Sequence, residues 1–197
     1  MKHIAPFLGI RADERRRLIG AALSDVPEPT SDELGEAATA LMALPEREYH
    51  YAAYDLIERF VDRADESFLE RWVEPMLTTT PWWDTVDGLG NAAVRPLGRR
   101  FDIGRTVDRW SESGDIWLIR AAIQHQRGWK QDTDVDRVLG LCDRHWSNGE
   151  FFVAKAVGWA LRDLARLDAD AVRRFLDMHP TPNRVATREA EKGLSRA

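Results

Sequence analysis

The chain has 197 residues, 44% hydrophobic and 31% charged, which excludes intrinsic disorder and allows a sizeable core. No apolar run approaches a membrane span, and the stretch from Ile4 to Ile10 is too short for a signal sequence and meets Arg11, Asp13 and Glu14 at once. The formal net charge of −5 argues mildly against a nucleic-acid partner, although a binding groove needs only a local excess of positive charge, while the single Cys142 excludes an internal disulfide and points to a reducing cytoplasm.

In chain order, Val26-Pro27-Glu28-Pro29 reads as a linker. Thr30 and Glu33 are placed as a capping box ahead of Leu34, Ala37, Ala38, Leu41 and Met42, which recur at helical spacing. Pro45 is predicted to open the next helix, which runs through Tyr49, Tyr54 and Ile57. Pro81, Gly114, Asn148-Gly149 and Pro180 punctuate the remainder, and Thr133 to His145 is expected to be one of its helices. No alternating strand pattern appears, so the expected class is all-α.

A step of 35 residues aligns Asp115-Ile116-Trp117-Leu118 with Glu150-Phe151-Phe152-Val153 and, one step earlier, with Thr80-Pro81-Trp82-Trp83. A further step, with a one-residue slip, reaches Glu46-Arg47-Glu48-Tyr49. Helix pairs at this period predict an α-solenoid over residues 1–197 as a single repeat domain, with a concave inner surface.

The repeat frame separates packing positions from unusual ones. Trp82, Trp117 and Phe152 share a position and read as packing knobs. Trp83 aligns with Leu118 and Val153, so core and functional readings both stand. Asp87 aligns with Ala122 and Val157, where a carboxylate is costly unless it is locally hydrogen-bonded or used in chemistry. Trp83 and Asp87 are four residues apart and share a helix face. Arg120 and Lys155 share another position, and Arg162 lies two turns beyond Lys155; these cations suit regularly spaced phosphates or a solvated, salt-bridged surface. Trp159 lies on the same face beside them and fits contact with a sugar, a base or a cation. Of the 28 basic residues, 24 are arginine, a fork suited to phosphate, although a GC-rich coding bias produces the same skew. There is no glycine-rich phosphate loop, no paired metal-ligand motif and no metal-ligand spacing among the histidines, so neither a metal nor a cofactor is expected.

Several of these segments resemble the AlkD-like family of HEAT-repeat DNA alkylation repair glycosylases. They are Phe7-Leu8-Gly9-Ile10-Arg11 with Arg15-Arg16, Leu44-Pro45-Glu46-Arg47-Glu48-Tyr49, Trp82-Trp83-Asp84-Thr85-Val86-Asp87, Ile116 to Ala122, Glu150-Phe151-Phe152 through Lys155-Ala156-Val157-Gly158-Trp159, and Arg188-Glu189-Ala190. The resemblance implies a catalytic cleft formed by Trp83, Trp159 and Asp87, with Arg120 holding a DNA phosphate; Lys155 and Arg162 are assigned to DNA on their repeat and helix spacing. It implies excision of N3- or N7-alkylated purines from duplex DNA without base flipping, by a monomer. The alternatives are a noncatalytic HEAT-repeat protein that binds unusual DNA structures and a scaffold for protein partners.

Overall fold

The computed structural model describes residues 4–181 and 183–196, and among them every regular element is helical. They divide into two compact units, the first ending at Ile103 and the second beginning at Gly104. The first contains α1 (Ala12–Ala22), α2 (Ser31–Met42), α3 (Arg47–Phe60), α4 (Glu74–Thr78), α5 (Trp83–Leu89) and α6 (Arg95–Arg100). The second contains α7 (Gly104–Glu112), α8 (Ile116–Ile123), α9 (Val135–Arg144), α10 (Phe151–Leu164), α11 (Ala169–Met178) and α12 (Arg184–Leu194).

In the first unit α3 is the central element, packed against α1, α2 and α5. Its buried residues Ala53, Leu56, Ile57 and Phe60 form one stripe at i, i+3, i+4 and i+7, which fixes the face it turns inward. The capping box ahead of α2 is present: the Thr30 hydroxyl accepts from Glu33 N at 3.2 Å, and Glu33 Oε2 accepts from Thr30 N at 2.8 Å. Pro45 does not open α3, which begins at Arg47 after Glu46 as N-cap. Two widened π turns, Leu69–Val73 and Gly90–Val94, lead into α4 and α6, and each ends two residues before a proline, Pro75 and Pro96. A proline inside a helix has no N–H and its ring crowds the carbonyl four residues back, and a widened turn moves that carbonyl aside.

In the second unit α10 is the spine, contacting α8, α9 and α12. The expected helix from Thr133 to His145 is shorter, because Asp134 caps it through Arg137 N at 2.9 Å. Glycine sets the approach of α10 and α12. A Cβ on Gly158 would lie 2.8 Å from Glu189 Cβ and 2.9 Å from Ala186 Cα, and one on Gly193 would lie 2.6 Å from Arg162 O. The two backbones are therefore nearly in contact, which brings Glu189 up to the side chains of α10.

Candidate functional site

The start of α5 is fixed by a buried arginine. Arg47, 1% exposed, donates through Nη2 to Asp84 Oδ1 at 2.7 Å and to Thr85 Oγ1 at 3.0 Å. Its Nη1 donates to Thr80 O at 3.1 Å and meets His50 Nδ1 at 3.0 Å. His50 Nε2 donates to Leu44 O at 2.8 Å, so Nδ1 is the acceptor and the ring is neutral. Burial, the largest cause, lowers the His50 pKa. The Tyr51 hydroxyl donates to the other Asp84 oxygen, and burial raises the pKa of that phenol. Asp84 is thus consumed in holding the helix start.

Trp83 and Asp87 lie one turn apart on α5. The indole is 38% exposed and Asp87 is half-buried, whereas its repeat partners Ala122 and Val157 are fully buried. The carboxylate thus takes the half-buried option that its repeat position allowed. Thr85, the partner of Arg120 and Lys155, is 1% exposed and bonded to Arg47, so the first unit turns no cation outward at that position.

In the second unit the cations converge on Trp159. Its half-buried ring has Arg127 Cζ at 4.7 Å, Arg120 Cζ at 4.9 Å, Lys155 Nζ at 5.2 Å and Arg162 Cζ at 5.8 Å from the centroid. All lie within cation–π range, so the indole is a platform on which like charges gather. Arg120 is 1% exposed and donates through Nη1 to Phe152 O at 2.8 Å, while Lys155 and Arg162 remain half-exposed. The expected solvent-facing ridge is thus a cluster with one buried member. Trp117 and Phe152, expected packing knobs, do touch, with ring centroids 5.0 Å apart.

The repeat frame missed three contributors. Arg127 joins the Trp159 cluster from the turn after α8 and also donates to Asp163 at 3.3 Å. Glu189 accepts from Lys155 Nζ at 2.8 Å, Arg162 Nη1 at 2.9 Å and Lys192 Nζ at 2.8 Å. The hydrogen bonds from Lys155 and Lys192 hold its carboxyl down to about 2. Glu48 ties down the segment before α1, accepting from the N–H groups of Leu8, Gly9 and Ile10 at 2.9, 2.8 and 3.1 Å. Burial alone would raise the Glu48 pKa, but these backbone hydrogen bonds together lower it. The signal for such partners is separation: Arg47–Asp84, Lys155–Glu189 and Arg127–Asp163 each span 34 to 37 residues, about one repeat.

Among the described residues no group of three or more His, Cys, Asp or Glu side chains could hold a metal ion, and no helix is long and apolar enough to cross a membrane. The profile of the family described as "DNA alkylation repair enzyme" matches residues 1–194. Over 100% of this chain the fold is similar to a solved structure titled a predicted DNA alkylation repair enzyme from Enterococcus faecalis, at 25% identity, TM-score 0.84 and 92% of that chain. It is also similar to AlkD2 from Streptococcus mutans, at 16% identity and TM-score 0.70, over 93% of this chain and 89% of that one. Both likenesses identify the all-helical repeat fold. No curated protein matches the sequence.

Proposed function

From the premise that the chain belongs to the DNA alkylation repair enzyme family, we propose that it is a glycosylase that hydrolyses the N-glycosidic bond of N3- and N7-alkylated purines in duplex DNA. The observation that carries this reading is Asp87, a half-buried carboxylate one turn beyond an exposed indole, at a repeat position that is otherwise buried and apolar.

An N3- or N7-alkylated purine is already cationic and leaves with the electron pair of the C1′–N bond, which neutralises it. The barrier then lies in the positive charge developing on the deoxyribose, as in other oxocarbenium-like glycoside hydrolyses. The Asp87 carboxylate opposes that charge and receives the proton of the water whose oxygen bonds to C1′. The exposed indole face of Trp83 stabilises the same cation through its quadrupole, and the Trp159 ring is assigned to gathering the basic side chains that lie over it. Lys155 and Arg162 are assigned to phosphates, where charge rather than base identity sets affinity, while Arg120, expected to hold a phosphate, is buried against Phe152 O and the Trp159 ring and supports the cluster from beneath. Such chemistry selects cationic lesions over neutral ones and needs no metal. Its partner is alkylated double-stranded DNA, and we assign the protein to the cytoplasm as a monomer.

The test is release of 7-methylguanine from methylated duplex DNA by wild type and Asp87→Asn side by side. The expected result is release by wild type and a loss of about 100-fold or more in the variant, at unchanged melting temperature. Equal release by both would remove Asp87 from the chemistry. DNA binding without release by wild type would make the protein a noncatalytic DNA-binding relative, and absence of DNA binding at moderate salt would leave a protein scaffold.

A further inference from the structure

We infer that Glu189 is a positioning residue that organises the cations around Trp159 for phosphate, an inference resting on the DNA reading of that cluster. A carboxylate on a surface meant for a polyanion is unfavourable by simple charge arithmetic, in a chain that already carries −5. This one is built in: its side chain is 7% exposed, it sits where Gly158 and Gly193 let α12 approach α10, and three ammonium or guanidinium groups converge on it within 2.9 Å.

The donor inventory explains how an anion can serve anion binding. Lys155 has three N–H donors and Arg162 has five, and the bond to Glu189 occupies one N–H of each. Both side chains stay about one-quarter exposed, at 23% and 24%. Glu189 thereby fixes two long, rotamer-rich side chains against the Trp159 ring at 5.2 and 5.8 Å while leaving donor capacity for an incoming phosphate. Without it the same charges would be present but would have to be ordered on binding, and like-charge repulsion would push them apart.

The two accounts of this carboxylate predict opposite signs, and salt-dependent binding of a labelled DNA duplex by the full chain separates them. In Glu189→Gln, loss of positioning predicts affinity about tenfold weaker and a log–log salt slope shallower by about one to two, because fewer phosphates are held. Tighter binding with a steeper slope would show that Glu189 merely competes with phosphate, and an unchanged slope with a lowered melting temperature would show that it only packs α12; either result overturns the inference. If Glu189→Gln does not fold, Glu189→Asp keeps the charge but withdraws the carboxylate by one methylene, and the same shallower slope is expected. Failure of wild type to bind the duplex would instead overturn the DNA reading itself, a result distinct from binding by wild type that Glu189→Gln leaves intact.

Discussion

The two units handle charge in opposite ways. In the first, the arginines of the central network go inward: Arg47 is 1% exposed under α5 and Arg15 is 7% exposed, paired to Asp55 at 2.9 Å and lying over the Tyr51 ring, while Asp87 stays half-buried. In the second, the carboxylate of Glu189 goes inward, and Lys155 and Arg162 remain half-exposed around Trp159. Each unit uses one buried charge, Arg47 in the first and Glu189 in the second, to orient side chains of the other sign or the helix that carries them, although Glu48 and Arg120 are buried as well. A net charge of −5 therefore says little about what either unit presents to a ligand.

The most damaging way to break the first half of this contrast is Arg47→Ala. It strips Asp84, Thr80 O, Thr85 and His50 of their common partner, and losing one member of a buried ion pair costs about 3–5 kcal/mol. Denaturant unfolding is expected to show that loss, with base release falling in step because α5 loses its fixed start. For the second half the equivalent is Gly193→Ala, whose methyl would meet the Arg162 carbonyl at 2.6 Å and push α12 away from α10. Overpacking of this kind costs about 2 kcal/mol. Thermal melting should show it together with a shallower salt slope for DNA, whereas a full-size loss of stability with an unaltered slope would detach the helix contact from the cation cluster.

A smaller effect comes from pH. His125, 3% exposed, has its pKa held down to about 4 by burial, against 6.5 for an ordinary histidine. As pH falls below about 6.5 the unfolded chain takes up a proton that the folded one refuses, so stability drops until about pH 4 and this contribution then levels off. By pH 5.5 the loss is about 1 kcal/mol. Melting curves across that range should be flatter for His125→Gln than for wild type, and parallel curves would refute the assignment. Glu189 adds a second, lower window: its depressed pKa stabilises the fold above about 4.5, and that contribution fades as pH falls toward about 2.

The helices and their repeat were legible because each unit restates the same apolar spacing about 35 residues on, and the frame isolated Asp87 as the polar exception. Burial within the frame was less legible. Arg120 and Lys155 occupy the same repeat position, yet one is buried and bonded to Phe152 O while the other is half-exposed and bonded to Glu189. What separates them is the neighbouring helix, which a local pattern does not contain. Asp84 shows the same point: three residues before Asp87 and chemically identical, it is committed to Arg47, 37 residues earlier in the chain. Arg127 acts from the turn after α8, and Glu48, in the first turn of α3, acts on the strapped segment of Leu8, Gly9 and Ile10; the helical spacing marks neither role.

The π turn at Gly90–Val94 has a bearing on how such chains diverge. One surplus residue in a helix rotates everything after it by about 100°. The polar stripe that starts with Trp83 and Asp87 is therefore out of phase with Arg95–Arg100, even though the chain runs on as helix without a loop. Gaining or losing a single residue there would swing the downstream arginines to another compass bearing and leave the indole and carboxylate untouched, but it would also carry Leu97, 1% exposed, out of the core, so the surplus residue locks the bearing of the basic end to the packing beneath it.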